Sequence, residues 1–176
     1  TEPLSYRAAA EEDMPDIERI VGDARRGLRR FHIDQWQGGY PSREDFLTDI
    51  RRGECFVVLH GGEVAGFFTL SLREEECYAS ITDGKWTEGM AYCVVHRAAV
   101  AAKYRGTGMS RYLMKCVEQQ AAALDRRCIR ADTHRKNKPM QTLLRECGYR
   151  YRGNVTVDSE PGHDPARQAF EKILKK

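Results

Sequence analysis

Apolar residues recur along the chain with two spacings, one typical of helices and one typical of strands. Helical spacing follows Asp13 and Ser42, which are residue types that cap helices, and it appears again after Met109 and Asn137. Gly148 is expected to end the last of these helices. The predicted apolar faces, in chain order, are Ile17, Ile20, Val21, Ala24 and Leu28; Phe46, Leu47 and Ile50; Tyr112, Leu113, Cys116, Val117, Ala121 and Leu124; and Met140, Leu143, Leu144 and Cys147.

Short runs rich in Val, Ile, Phe and Leu predict the strands of one sheet. Gly61-Gly62 separates two of these runs, which predicts a hairpin with a two-residue turn. The run at 90–100 is apolar on much of both faces, so we expect it at the centre of the sheet. Residues 73–89 show no clear period and are expected to form a long loop or an irregular extension of the hairpin. The predicted strands are 4–7, 55–60, 63–71, 90–100, 128–132, 149–157 and 168–174.

The composition is typical of one folded domain. The 176 residues can bury a full hydrophobic core, and no linker or repeat divides them, so a single domain over 1–176 is expected. The net charge is only +3, and no nucleic-acid recognition motif accompanies the arginine doublets. No apolar run reaches the ~20 residues that cross a bilayer. We therefore expect neither nucleic acid nor a membrane as a partner.

Six cysteines are spread at wide intervals without a Cys-x-x-Cys pair, and no secretory leader precedes Leu4. This usage predicts reduced thiols in a cytoplasmic protein. Cys93 with His96, or Cys128 with His134, would need a second pair at zinc-type spacing, so no metal site is expected.

A glycine-rich turn at 105–110 runs directly into the third predicted helix. Glycines let the backbone approach an anion, and the N–H groups of a first helical turn point at it. The turn lacks the pattern of a P-loop and the third glycine of a dinucleotide fingerprint. No acidic residue occurs between Gly89 and Val117, which suits a polyanionic ligand. The basic residues of this stretch are Arg97, Lys103, Arg105, Arg111 and Lys115.

Two motifs in this part of the chain resemble those of the GNAT superfamily of N-acetyltransferases. The first falls on Arg105, Gly108 and Ser110, and the second on Asn137, Met140 and Gly148-Tyr149. Ser110 departs from the usual glycine or alanine but is also small. The resemblance covers most of the chain and implies an α/β (α+β) GNAT fold. Such a fold has a central mixed, mostly antiparallel sheet of six to seven strands, flanked by about four helices.

The resemblance also implies acetyl-CoA as the co-substrate. In the family, the strand before the turn binds the pantetheine arm through backbone groups, and the turn holds the pyrophosphate. The cofactor-binding residues implied for this chain are Ala98, Ala99, Val100, Arg105, Gly106, Thr107, Gly108, Met109, Ser110, Arg111 and Asn137.

Acetyl transfer to an amine needs a base, because an amine with a pKa of about 10.4 is protonated at neutral pH. Asp132 is the first candidate, since it ends the strand after the cofactor helix, where some family members carry a glutamate. A structural carboxylate in the 132–134 turn is an equal alternative for Asp132. His96, Glu88 and His134 are weaker candidates, because a lone histidine in an apolar strand is more often a hydrogen-bonded core residue. A backbone N–H near the C-terminal end of the 90–100 strand would meet the developing oxyanion.

The general acid is left unassigned. Family members with a catalytic tyrosine carry it seven residues after the motif asparagine, where this chain has Leu144. Tyr149 and Tyr151 are nearby substitutes, although core packing is an equal explanation for each. A thiolate leaving group with a pKa near 8.5 can depart with little help.

These features predict an N-acetyltransferase that moves an acetyl group from acetyl-CoA to a primary amine by direct attack in a ternary complex. The alternative is a catalytically silent acyl-CoA-binding sensor. The acceptor is a small-molecule or peptide amine, and a homodimer is one option for the assembly. The acceptor pocket is expected among Trp36, Tyr40, Tyr78, Trp86 and Glu74 to Glu76.

Overall fold

The computed structural model describes residues 2–158 and 160–175. The helices found there are α1 (Met14–Arg30), α2 (Arg43–Arg51), α3 (Met109–Ala123) and α4 (Lys138–Glu146). The strands are β1 (Leu4–Ala8), β2 (Cys55–His60), β3 (Glu63–Ser71), β4 (Tyr92–Val100), β5 (Cys128–His134), β6 (Arg150–Thr156) and β7 (Ala166–Ile173). Short 3-10 turns cover Glu11–Asp13, Glu76–Ser80 and Ala102–Tyr104.

The strands form one sheet in the order β1-β2-β3-β4-β5-β7-β6. Every neighbouring pair is antiparallel except β4 and β5, which are parallel. The sheet is therefore mixed and mostly antiparallel, and β4 lies at its centre, as the sequence predicts.

Local signals account for several element boundaries. The Ser42 side chain accepts a hydrogen bond from the Asp45 N–H, and the Asp45 carboxylate accepts one from the Ser42 N–H at 2.7 Å, so the pair caps α2. His60 and Glu63 face each other across the predicted two-residue turn. The Asn137 Oδ1 accepts from the Met140 N–H at 3.2 Å and caps α4.

Two local expectations differ from the structure. Asp13 precedes α1 but does not cap it with its side chain, because its carboxylate binds the Arg7 guanidinium and the Ala10 N–H. β5 continues to His134 rather than ending at Asp132, since it pairs with β7 as far as the His134–Arg167 position. The loop before β4 buries Tyr78 and Trp86 in a small apolar cluster of its own.

β4 and β5 pair only through their first residues. The parallel register runs from Tyr92 opposite Cys128 to Val94 opposite Arg130. Further along, the β3–β4 register shifts in a bulge at Arg97, whose φ is 47°. The C-terminal halves of β4 and β5 thus separate, and an opening forms between them. No described helix is long and apolar enough to cross a membrane.

Candidate active site

A cavity of about 900 Å³ occupies the opening between β4 and β5. Its walls come from α1, the α1–α2 loop, both strands, the start of α3, α4 and the segment between β6 and β7. The predicted cofactor residues that line it are Ala98, Ala99, Val100, Arg105, Ser110 and Asn137. The candidate base Asp132 lines the same cavity.

The glycine turn presents open backbone groups at the start of α3. Gly106 and Gly108 have φ angles of 74° and 88°, which glycine adopts without strain. The N–H groups in the first turn of a helix have no intrahelical acceptor, and at α3 no side chain of the cap residue supplies one. A Cβ atom added at either glycine would meet nothing within 4 Å, so the space beside the backbone is open. This arrangement can bind a phosphate group.

Thr107, Met109 and Arg111 support the turn and are not among the residues that line the cavity. The Thr107 hydroxyl donates to the Tyr104 carbonyl oxygen, and Met109 is buried in the core. Arg111 forms an exposed ion pair with Glu146. Arg105 lines the cavity, and its guanidinium donates to the Asp23 carbonyl oxygen at 2.9 Å, which joins the turn to α1.

Acidic side chains from distant parts of the chain neutralise part of the positive charge around the turn. Arg97, Lys103 and Arg111 form ion pairs with Asp49, Glu63 and Glu146, which come from distant parts of the chain. Attraction of a polyanion by the whole stretch is therefore weaker than the sequence suggests. Within the described residues, Arg105 and Lys115 form no ion pair, and of these two only Arg105 lines the cavity, beside the backbone N–H groups of the turn.

Arg97 supports β4 instead of binding an anion. Its Nε and Nη2 donate to the buried Asp49 carboxylate at 2.7 and 2.8 Å, and its Nη1 donates to the Tyr40 hydroxyl at 2.8 Å. Asp49 also accepts from the Thr69 hydroxyl at 2.9 Å. The ion pair raises the pKa of Arg97, although burial opposes this. The network fixes the bulge, and with it the unpaired edge of β4 at Ala98 to Val100.

Asp132 lines the cavity together with Trp36, Tyr40, Glu75 and Tyr78, and we name this part the acceptor end because the sequence predicts the acceptor there. Its Oδ2 accepts a hydrogen bond from the Tyr78 hydroxyl at 2.6 Å, and in the described part of the chain no donor contacts Oδ1. Burial raises the pKa of Asp132 above its usual range, while the Tyr78 bond and the charge of Arg167 oppose the increase. A carboxylate with a raised pKa and one free oxygen is suited to accept a proton near neutral pH.

The weaker candidates differ in position. His96 lines the cavity, but burial and the neighbouring Arg97 lower its pKa to about 3, so it is a very weak base. Glu88 is exposed and lines a separate depression of about 460 Å³ beside Trp86. His134 uses both ring nitrogens, since Nε2 lies 3.1 Å from the Asp34 carboxylate and Nδ1 accepts from the Lys136 N–H. Of the four, Asp132 has the environment that fits a base.

The tyrosines near α4 do not face the cavity. Tyr149 is buried in the core, and Tyr151 is exposed with its hydroxyl donating to Asn154 at 2.7 Å. Leu144 does line the cavity, at the position where relatives can carry a tyrosine. The structure therefore gives neither Tyr149 nor Tyr151 access to the leaving group.

The acceptor end combines predicted and unpredicted residues. Trp36, Tyr40, Tyr78 and Glu75 line it, whereas Trp86 packs behind Tyr78 with ring centroids 4.9 Å apart. Glu74 lines the separate depression instead. Sequence reasoning missed Asp158, Glu160 and Arg167, because neither the turn-rich segment after β6 nor the start of β7 carries a recognisable motif.

Comparisons with known proteins agree with this architecture. The model of the acetyltransferase (GNAT) family matches residues 23–149. A GNAT family acetyltransferase from Streptococcus agalactiae is 32% identical, with a TM-score of 0.88 over 98% of this chain and 96% of the other. A putative acetyltransferase from Staphylococcus aureus is 24% identical, with a TM-score of 0.70 over 97% and 99% of the two chains.

A plant structure extends the similarity in fold. Arabidopsis thaliana NAA60 in complex with acetyl-CoA is 16% identical, with a TM-score of 0.69 over 98% of this chain and 100% of that one. No curated protein matches the chain. The family match, together with the similarity to the streptococcal protein, shows that the chain belongs to the GNAT family of acetyltransferases and is an acyltransferase.

Proposed function

We propose that this acetyltransferase moves an acetyl group from acetyl-CoA to a primary amine by direct attack in a ternary complex. The observation that carries the proposal is the single cavity lined by Ala98 to Val100 and Ser110 as well as by Asp132. A cavity of this kind can hold both substrates at once. Cys77 also lines it, but burial raises the pKa of this thiol to about 12, which argues against a covalent enzyme intermediate.

The residues at the cofactor end fit acetyl-CoA. The uncapped start of α3 beside Gly106 and Gly108 can bind the pyrophosphate, and the unpaired edge of β4 can bind the pantetheine arm. When bound, acetyl-CoA supplies a thioester carbonyl carbon for the amine to attack. Backbone N–H groups near the Arg97 bulge are the groups that can hold its oxygen.

Asp132 acts as the base in this proposal. Its Oδ1 accepts the proton of the acceptor ammonium, directly or through a water molecule, while Tyr78 holds Oδ2 in place. A carbon–nitrogen bond then forms as the carbon–sulfur bond breaks, and the second ammonium proton passes to water or to the departing thiolate. Leu144 provides no proton, and a thiolate whose pKa is about 8.5 can leave without one.

The acceptor end attracts a cation. Glu75, Asp132 and Asp158 all line it, and together they help to raise the pKa of the Cys77 thiol between them. Burial, followed by the charge of Asp132, also raises the pKa of Glu75. A protonated amine that enters this region neutralises part of the negative charge, which favours amines over neutral acceptors.

Release of free CoA thiol from acetyl-CoA tests the proposal, with polyamines, aminoglycosides, amino acids and N-terminal peptides as acceptors. We expect thiol release with at least one amine, and a loss of about 10²- to 10⁴-fold in kcat for Asp132→Asn. Asp125→Asn is a matched control, because Asp125 lies in an exposed turn after α3.

Two outcomes would contradict the proposal. If CoA binds but no amine releases thiol, the chain is better explained as an acyl-CoA-binding sensor. If Asp132→Asn keeps full activity with every acceptor, Asp132 is a structural carboxylate and the base lies elsewhere.

A further inference from the structure

We propose that Arg167 binds a carboxylate group of the acceptor, so that the substrate is an amino acid or a close analogue with its carboxylate next to the reactive amine. This inference rests on the proposed transfer to an amine and names the class of that amine. Two features of Arg167 support it: the guanidinium has no ion-pair partner in the described residues, and it lies on the same face of the sheet as Asp132. The acetyl transfer itself requires neither feature.

Arg167 is a buried cation without an ion-pair partner in residues 2–158 and 160–175. The residue is 3% exposed, yet it lines the cavity. Both of its hydrogen bonds come from Nη1 and go to backbone carbonyl oxygens, those of Asp164 at 2.7 Å and Ala166 at 3.1 Å. The Nε and Nη2 side of the guanidinium, which suits a bidentate carboxylate, has no acceptor among these residues.

A buried guanidinium usually has an anionic partner, because removing a charge from water is costly. In the described residues, buried Arg130 and the largely enclosed Arg97 obey that rule. Arg97 pairs with Asp49, and the Nε of Arg130 lies 3.6 Å from the Glu171 carboxylate. Glu160 lines the same cavity but already accepts from the Trp36 N–H, at 2.8 and 2.7 Å, and Asp132 accepts from the Tyr78 hydroxyl and forms no ion pair with Arg167. Arg167 therefore lacks the partner that Arg97 and Arg130 have, and an anionic group of the ligand would supply it.

Arg167 and Asp132 lie on the same face of the sheet. Asp132 is opposite Ala169 across the β5–β7 pair, and His134 is opposite Arg167. Because side chains alternate between faces along a strand, Asp132 and Arg167 are diagonal neighbours on one face. The two side chains also interact electrostatically, since the positive charge of Arg167 opposes the rise that burial causes in the pKa of Asp132.

This pair matches the two ends of an amino acid. Asp132 has a free Oδ1 for the ammonium group, and Arg167 has free N–H groups for a carboxylate one carbon away. Polyamines and aminoglycosides carry no carboxylate and leave Arg167 unpaired. The arrangement therefore favours free α-amino acids over amines of equal size without a carboxylate.

The test compares each α-amino acid with the primary amine that lacks its carboxylate, such as lysine with cadaverine and phenylalanine with phenethylamine. The assay is thiol release at alkaline pH, where Asp132 is ionised in all variants. For the preferred amino acid we expect kcat/KM about 10- to 100-fold above that of its amine, from one charge-assisted carboxylate contact. Arg167→Gln should reduce this ratio to near one, mainly through KM, and Arg167→Lys should restore part of it.

Arg150→Gln is the matched control, because Arg150 is an exposed arginine on the neighbouring strand β6. Thermal melting shows whether each variant folds. Calorimetric titration of the amino acids into the wild-type protein with CoA bound gives a second measurement that does not depend on turnover or on any variant.

The outcomes separate the two proposals. If the wild-type protein acetylates amines but kcat/KM is no higher for any amino acid than for its amine without the carboxylate, the role of Arg167 is wrong. The proposed transfer to an amine is unaffected by that result. Absence of thiol release with every acceptor contradicts the transfer instead. If calorimetry detects no binding of any amino acid to the wild-type protein, the carboxylate site is rejected, whether or not the protein releases thiol.

Discussion

Asp132 and Tyr78 show how two side chains can set the proton affinity of a site. Burial raises the pKa of the carboxyl group, and the hydroxyl bond at 2.6 Å moderates this increase by stabilising the ionised form. The same contact acts in the opposite direction on Tyr78, whose pKa is raised well above 10 by burial and by the charge of Asp132. Tyr78 thus remains a donor, and Asp132 remains the acceptor.

Replacing Tyr78 with phenylalanine should shift the pH dependence of the reaction. A base must be deprotonated to act, so activity is lost as the pH falls through the raised pKa of Asp132. Tyr78→Phe removes the bond that holds this pKa down, so the acidic limb of kcat/KM should move to higher pH. A pH–rate profile measures the shift, and Tyr151→Phe is the control because Tyr151 is exposed and its hydroxyl donates to Asn154 instead of to Asp132. An acidic limb that stays in place, or moves to lower pH, would exclude Asp132 as the titrating group.

The start of α3 is the element with the clearest anion-binding geometry. Gly108→Glu places a carboxylate in the open space beside the free N–H groups, where a bound pyrophosphate would be repelled. We expect acetyl-CoA affinity to fall by at least about 100-fold, since one lost set of charge-assisted bonds is worth this much. Equilibrium binding of acetyl-CoA measures the change.

Gly53→Glu is the matched control for this substitution. Gly53 ends α2 with a φ of 70°, and a Cβ added there also meets nothing within 4 Å. Both variants therefore bear similar backbone strain of about 1 to 2 kcal/mol and gain the same charge. Equal binding by the two variants would mean that the glycine turn does not hold the cofactor.

The β4 bulge depends on the buried Arg97–Asp49 pair, so Asp49→Asn should destabilise the fold. Asp49 is 1% exposed, and its loss leaves a buried guanidinium without a counter-charge. Such a change costs about 3 to 5 kcal/mol, whereas Glu54→Gln, which breaks the exposed pair with Arg73, should cost at most about 1 kcal/mol. Urea denaturation measures both values. Similar small losses in the two variants would show that the network does not hold the bulge.

The elements that could be predicted are those with short-range signals. The Ser42–Asp45 cap, the Gly61-Gly62 turn and the Asn137 cap are each fixed by residues close in sequence, so their positions can be read directly. The extension of β5 to His134 could not, because it depends on pairing with β7 more than 30 residues later. The Arg97 bulge also depends on a distant partner, Asp49.

At the scale of the whole molecule, the two ends of the cavity differ in how the chain builds them. The end proposed to bind the cofactor comes from a short stretch of sequence, since its lining residues are Ala98 to Val100, Arg105, Ser110 and Asn137, and its motifs resemble a family pattern. The acceptor end gathers residues from the α1–α2 loop, the segment before β4 and the segment before β7. No spacing rule connects these three segments with one another or with β7, so Glu160 and the β7 residue Arg167 were not predictable from the sequence.

Two carboxylates join the separate parts of the acceptor end. Asp34 in the α1–α2 loop accepts from the Asp164 N–H at 2.7 Å and lies 3.1 Å from the His134 Nε2. Glu160 accepts from the Trp36 N–H in return. The α1–α2 loop is thus attached to the segment before β7 at two points, and these contacts position the acceptor wall.

Asp34→Ala should therefore weaken acceptor binding much more than cofactor binding. The Asp164 N–H loses its acceptor and the loop becomes less ordered, so KM for the amine should rise on the order of tenfold. Asp34 contacts His134 and Asp164, and in the described residues it makes no hydrogen bond to β4 or to the start of α3, so the Kd for acetyl-CoA should change much less than KM. Asp16→Ala is the control, because Asp16 makes only an exposed pair with Arg19 on α1. Steady-state kinetics with titration of acetyl-CoA separate the two constants, and an equal loss in both would mean that the cavity folds as one unit rather than as two independently positioned ends.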